Sequence, residues 1–517
     1  SRAVYGGHSH VGTMIYLGGN WPETYRDQLF THNLHGHQMN RQLNVRRGSG
    51  YETLHAGSDH LFTEDPQFIG VDLKYGPDGA VYMIDWVDKQ HCHTNNVDSW
   101  DRSNGRLYRM QWSESYQSVK IDLGAKTTAE LVSMVTSQDE WYSRTARRLL
   151  QERADSSAVL LLDSAMAEMP GVHETLRLLW ARHLVSNEAP PALAFAHQAE
   201  EVRAWAITLS GDGRQPTSAT HLREMASNDP SSMVRLALAS ALPRMSPSDR
   251  WEIAEILGNS AADSDDVYLP KLIWYGLAPI VLDDPARGLS LALKTPMPML
   301  GDSVIWYLSK DVVGRDLLTS HLEDPNARFT KILELMAQAL PSTSPLPAPE
   351  RWATITSKLR TAETSAYLDR LGGIFGDASV LASMRATLAD DQAPLAKRTE
   401  ALQFLKASGD TQCSSELIAV LDDPNFRAMV IPLLGRFNDK KVARAVLARI
   451  PQLKGGDRHN ALGALASQPV LAKSLLSALK SKRIDYRILT SLHVRQMQHL
   501  GNDEINRMLA DVWGRVS

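Results

Sequence analysis

The chain has 517 residues, 43% of them hydrophobic, and a formal net charge of −4. That length points to about two to four domains. The small charge is spread evenly, with 10 Lys/Arg against 12 Asp/Glu in the first 112 residues, and predicts neither a nucleic-acid surface nor polybasic membrane binding.

A seam divides the sequence near residue 112. Nine of the 17 histidines and 13 of the 32 glycines precede it, and the patterning there is that of β-sheet. Almost everything after it reads as short amphipathic helices in pairs. The fold class is therefore β followed by α, with domains at 1–112, 120–340 and 351–517. The chain opens at Ser1 in mid-pattern, with no signal-peptide core, and reads as a fragment.

The first β unit holds GTMIYLG at 12–18 and QLFTHNLHGHQMNRQLNV at 28–45. Alternation at Met14 and Tyr16, and at Leu29, Thr31 and Asn33, fits half-buried strands. Asn20–Trp21–Pro22 makes the turn between them. The second unit holds DLKYGPDGAVYMIDW at 72–86 and GRLYRMQW at 105–112. Gly76–Pro77–Asp78–Gly79 is a turn, since Pro presets φ and Gly accepts positive φ. Val81, Met83 and Asp85 face one side of the following strand, and Tyr82, Ile84 and Trp86 the other. A PDG turn, a strand, a short loop and G-x-[IVL]-Y-R together have the pattern of a propeller blade.

Polar side chains cluster in three places. His8 and His10 stand at a strand entrance, where they contact a ligand, act as base, or hydrogen-bond the loop backbone. Asn33, His35 and His37 follow in one stretch, expected on a common face, to bind a substrate hydroxyl or a metal or to make a polar surface. The run Asp85–Trp86–Val87–Asp88–Lys89–Gln90–His91–Cys92–His93 is the densest. Asp85, Asp88 and His93 are its candidate cation ligands; the alternative is that Asp85 closes a turn and Cys92 packs as a small buried group. Lys74, just before the PDG turn, is a candidate carboxylate anchor or a solvated lysine. Asp101 and Arg102 are expected to pair locally.

GGHSHVGTMIYLGGNWPETYRDQLFTHNLHGHQMNR and DPQFIGVDLKYGPDGAVYMIDWVDKQHCH…DRSNGRLYR resemble the last blades of the membrane-bound dehydrogenase proteins of planctomycetes. Those look like six-bladed glucose/sorbosone-dehydrogenase-type propellers followed by helical repeats and a cytochrome c domain. The resemblance covers residues 1–112 and extends more loosely to WYSRTARRLLQER at 141–153, LPKLIWYGLAP at 269–279 and the terminal VWGRVS. It implies an oxidoreductase of the periplasm or cell envelope acting on a sugar or alcohol, with pyrroloquinoline quinone and calcium as cofactors. It also implies a cytochrome c domain or protein as electron acceptor, with the early blades and haem domain outside this chain. On that reading His8, His10 and His35 are catalytic, Asn33 and Lys74 bind cofactor, and Asp85, Asp88 and His93 hold metal. One departure is plain. Where the soluble quinone glucose dehydrogenases carry an arginine pair, this chain has Pro66–Gln67–Phe68–Ile69–Gly70–Val71, with no basic residue.

The helical part repeats at roughly 30–40 residues. WYSRTARRLL, EVRAWAITL, MVRLALASAL and FRAMVIPLL each set an Arg at the start of an apolar helix, expected to bridge to the neighbouring repeat's Asp. Asp229–Pro230, Asp324–Pro325 and Asp423–Pro424 are expected to cap helices. The pattern is HEAT-like, with stacked repeats burying a continuous core. PSTSPLPAPE at 341–350 reads as a linker. The longest apolar run, Leu272 to Leu282, has 11 residues, too short to span a bilayer. Cys92 and Cys413 are far apart, and no CxxC, CxxCH, P-loop, GxSxG or HExxH occurs. The reading that competes with the oxidoreductase is a non-catalytic scaffold whose helical face binds a protein or glycan.

Overall fold

The computed structural model describes residues 9–89, 101, 103–168, 171–186, 188–212, 218–324, 329–340 and 346–514. They form two compact units, 1–304 and 305–517.

The first unit opens with β1 (His10–Ile15), β2 (Leu29–Asn33), β3 (Gln38–Arg47), β4 (Gly50–His55) and β5 (Leu61–Phe62). They make one antiparallel sheet in the order β1-β2-β3-β4, and β5 pairs with β3 beyond the end of β4. β4 and β5 are thus one interrupted edge strand with residues 56–60 looped out between its halves. The second sheet is the meander β6 (Gly70–Tyr75), β7 (Val81–Asp85) and β8 (Arg106–Met110). Both sheets are open, and among the described residues neither a closed barrel nor a closed propeller occurs.

The sheets pack over Met14, Tyr16, Trp21, Phe30, Leu73 and Val81. The Tyr16 hydroxyl accepts from Asn20 N (2.9 Å) and Trp21 N (2.7 Å) and donates to Gly79 O (2.8 Å), locking the Asn20 turn onto the PDG turn. Gly12, at φ +59°, sits where a Cβ would lie 2.9 Å from the backbone of Asp72, so only glycine lets β1 approach β6 this closely.

The helices of the first unit are α1 (Thr128–Val135), α2 (Glu140–Arg153), α3 (Ser157–Ala167), α4 (Val172–Val185), α5 (Ala192–Phe195), α6 (Glu200–Ser210), α7 (Ala219–Asn228), α8 (Ser232–Ala241), α9 (Pro247–Gly258), α10 (Leu269–Leu277) and α11 (Pro285–Lys294). α2, α4, α6, α8 and α10 pack successively in one row, and α1 on α3 and α7 on α9 form the other. This is a helical-repeat array. Bidentate ion pairs tie its repeats: Arg203 to Asp229 (2.7 and 2.9 Å) and Arg235 to Asp263 (2.6 and 2.8 Å). Two of the four repeat arginines therefore bridge as expected. Arg427 instead donates to the carbonyls of Leu421 and Asp422. Asp229–Pro230 and Asp423–Pro424 do not cap in the expected way, the N-caps being Ser231 and Phe426, and Pro325 lies outside the described residues. Ser231 caps α8, because the Asp229 carboxylate is already held by Arg203 and Ser231 N.

α12 (Pro298–Leu308) runs across the division between the units. The second unit continues with α13 (Val312–His321), α14 (Phe329–Ala339), α15 (Trp352–Leu359), α16 (Ser365–Ile374), α17 (Ala378–Ala389), α18 (Leu395–Ala407) and α19 (Ser414–Ala419). It ends with α20 (Arg427–Leu434), α21 (Lys440–Arg449), α22 (Gly455–Leu465), α23 (Pro469–Lys480), α24 (Ser491–Gln498) and α25 (Asp503–Trp513). Residues 346–350 carry no regular element, and α14 packs against α16. Among the described residues no single helix is long and apolar enough to cross a membrane. The apolar pair α22–α23 is bent by 116° and lies in the core.

Candidate functional site

The first sheet has two unlike faces. One carries Met14, Phe30, His32 and Met39 into the aromatic core. Strand register puts His10, Thr31, Asn33, Gln38, Asn40, Gln42 and His55 on the other. Thr31, Asn33, Gln38, Asn40 and Gln42 on this polar face are buried, a costly arrangement unless each finds partners.

Asp59 supplies them. The looped-out 56–60 segment turns its carboxylate, whose side chain is fully buried, onto the polar face. It accepts from Gln38 Nε2 (3.0 Å) and Asn40 Nδ2 (2.7 Å), and His55 Nε2 lies 3.1 Å away. A carboxylate that orients an imidazole in this way fixes its tautomer and favours proton transfer at the other ring nitrogen. Beside this network, Thr31 Oγ1 and Asn40 Oδ1 are buried without a hydrogen-bond partner, and the two residues are cross-strand neighbours.

At the end of this face the sheets meet. Asn33 Oδ1 accepts from Gly36 N (3.1 Å), and His37 Nδ1 lies 2.7 Å from Phe68 O. Asn33 ends β2, whereas His35 and His37 belong to the β2–β3 turn, with His37 at φ +52°. The alternation expected to align all three does not run through a turn. Asp85, fully buried, accepts from Ile69 N (2.7 Å), Val87 N (3.0 Å) and Arg106 Nε (2.8 Å). Arg106 also reaches Asp65 (2.7 Å). Gln67 N and Arg106 hold the Asp65 carboxyl below its usual range. Asp88 accepts from Asp101 N (3.0 Å).

The structure thus gathers His10, Asn33, His35 and His37 at one end of the first sheet, with Asp85 and Asp88 at the adjoining end of the second. Lys74 is elsewhere. It lies at the far end of β6, exposed and 3.1 Å from Asp72. His8, Cys92, His93 and Arg102 lie outside the described residues. Among the described residues no three His, Cys, Asp or Glu side chains group to hold a metal, and Arg106, the guanidinium at this rim, is engaged by two carboxylates.

Sequence reasoning missed His32, His55, Asp59 and His60. The short His55…Asp59–His60 spacing is the available signal, but only the loop-out between β4 and β5 gives it meaning. His32 and His60 are held neutral, each lowered to about 4 by burial. Neither His32 ring nitrogen has a hydrogen-bond partner, although the Asp72 backbone lies alongside. His60 stacks among Trp21, Tyr25 and Phe30.

Hydrogen bonds fix the module to the helices. Glu140 N donates to Leu17 O (3.1 Å) and the Tyr142 hydroxyl to Pro77 O (3.0 Å). Across the array, Ser49 N and Oγ both donate to Asp266 (2.6 and 2.7 Å).

Residues 5–114 match the model of a family described as a domain of unknown function, DUF7133. No curated protein matches the chain. Among solved structures the chain is similar to human deoxyhypusine hydroxylase in complex with glycerol. The identity is 16%, with a TM-score of 0.20, over 54% of this chain and 96% of that one.

Proposed function

We propose that the N-terminal module binds a small hydroxyl-bearing ligand, a sugar or alcohol, and that the helical repeats are the scaffold on which it is presented. The observation that carries this reading is the buried pair of unpartnered oxygens, Thr31 Oγ1 and Asn40 Oδ1, beside the Asp59–His55 pair. A ligand hydroxyl there would meet two oxygens that can accept, one of which, on Thr31, can also donate.

The finer reading makes the two sheets the last blades of a propeller-type dehydrogenase of the cell envelope, with a cytochrome c domain as electron acceptor. It is supported by the first strand of each sheet packing on the first strand of the other, β1 on β6, as inner strands of neighbouring blades do. On that reading Asp85, already held by Ile69 N, Val87 N and Arg106, would need to exchange these partners to take calcium. The competing reading, a non-catalytic scaffold, is favoured by one observation. Asp85 and Arg106, at the sheet rim, are engaged in holding the loops together.

The test is a panel of sugars and alcohols against the full-length gene product, scored for binding by calorimetry and for turnover by dye reduction. Saturable binding that His55→Gln and Asn40→Ala weaken supports the ligand site, and turnover in addition supports the dehydrogenase. Binding without turnover favours the scaffold. No binding to any member overturns the proposal.

A further inference from the structure

A second candidate site shares no residue with the Thr31–Asn40 pair. Between the β1–β6 edge of the module and helices α2 and α4 is a cleft of 970 Å³, at the upper end of the size range of small-molecule sites. Its walls are strongly one-signed. Lys74, Arg144, Arg147, Arg148 and Arg177 line it against one carboxylate, Glu140. Asp72 and Glu152 pair with Lys74 and Arg148 from outside the cleft, which leaves two positive charges in excess.

The excess contrasts with three other arginines of the array. Arg203, Arg235 and Arg287 are each matched by both oxygens of one carboxylate. Glu140 is taken mainly by Arg177, at 2.9 Å, and stands 3.7 Å from Arg147. Arg147 is left largely buried, its Nη1 with no acceptor, and its guanidinium lies 5.3 Å from the Trp180 ring. Trp180 Nε1 is also buried and unpartnered. A largely buried guanidinium paired only at 3.7 Å and a second orphan donor on one cleft wall are costly. Both are donors, so what satisfies them is an acceptor, and beside surplus cations that acceptor is best an anion. The Trp141 and Trp180 rings with Leu176 and Leu184 give the same cleft an apolar wall.

We infer that this cleft binds a small organic anion, with a carboxylate or phosphate group on the Arg147–Trp180 donors and a flat apolar body against the tryptophan rings. Arg144 and Arg148 stand exposed at the mouth and attract the charge. The inference does not rest on the hydroxyl-binding reading, because the residues involved are different.

The experiment is calorimetric titration of the whole chain at low salt with isophthalate, phenyl phosphate and the neutral isophthalamide. One or both anions should bind with 1:1 stoichiometry, and the better of them names the headgroup. The neutral amide should bind at least about 10-fold more weakly, a difference of about 1.4 kcal/mol. Arg147→Gln should weaken the anion about 10-fold or more. Because Arg147 is buried, the exposed pair Arg144→Gln/Arg148→Gln serves as a second variant; it should keep the wild-type melting temperature yet bind several-fold more weakly, with a shallower salt dependence. The inference is overturned if neither anion binds, if the amide binds as well as the anions, or if the double variant binds like the wild type.

Discussion

Replacing Asp85 separates two roles for this buried carboxylate of the β module. As a tie, its Oδ1 holds the amides of Ile69 and Val87 and its Oδ2 holds Arg106 Nε. Asp85→Ala would strand two buried amides, at roughly 1–3 kcal/mol each, and lose a charge-assisted bond. The last contribution is discounted, because Arg106 is 36% exposed and keeps Asp65. The expected total is roughly 3–5 kcal/mol. Asp85→Asn keeps an acceptor for the two amides but turns an NH₂ toward Arg106, so it should cost about half as much. Native-state hydrogen exchange followed by mass spectrometry reads this directly, in peptides covering 66–89, with and without added calcium. A loss of protection in Asp85→Ala that calcium does not alter is the expected result. An Asp85→Ala chain as protected as wild type would refute the tie. So would calcium protecting wild type but not Asp85→Asn, which would make Asp85 a cation ligand after all.

Three further outcomes follow from the packing. His32 and His60 protonate near pH 6.5 in the unfolded chain but only at about 4 when folded. The unfolded state therefore binds more protons between those values, and the module should be fully stable above pH 6.5 and lose stability as pH falls toward 4. Each contributes at most roughly 3 kcal/mol. His60→Phe, which suits the aromatic cluster, should remove about half of that pH dependence in thermal melts, and an unchanged slope would refute it. Asp229→Ala leaves Arg203 buried without its partner, and should destabilise the first unit by roughly 3–5 kcal/mol in denaturant. Arg203→Met/Asp229→Leu should recover most of that loss if the pair, not the site, is at fault. Burial, aided by Asp410 and Glu416, pushes the Cys413 thiol up to about 12. It should resist iodoacetamide at pH 8 in the native chain and alkylate only in denaturant, as read by peptide mapping.

Much of the architecture was legible in the sequence because its signals are local. Alternation over a few residues marked β1, β6 and β7, Pro77 and Gly79 marked the turn between the last two, and repeating apolar helices with an Arg near their start marked the array. The bridges from Arg203 and Arg235 were readable for the same reason, since a repeat fixes the distance between equivalent positions. The candidate sites were only half legible. Histidines and asparagines could be counted, and His10 and Asn33 do share a face, but the residues that give that face its chemistry come from elsewhere in the chain. Asp59 reaches it because β4 and β5 break around a loop, and His32 is buried because Gly70 lets the second sheet close over it. Arg144 reads in the sequence as a repeat arginine expected to bridge to an Asp, and its grouping with Arg147 and Arg148 in one cleft shows only once α2 is laid along the β1–β6 edge. Periodicity reports which residues share a face of one element. What that face meets, and so which charges are matched and which are left over, depends on contacts between segments distant in sequence, and only the tertiary structure decided it.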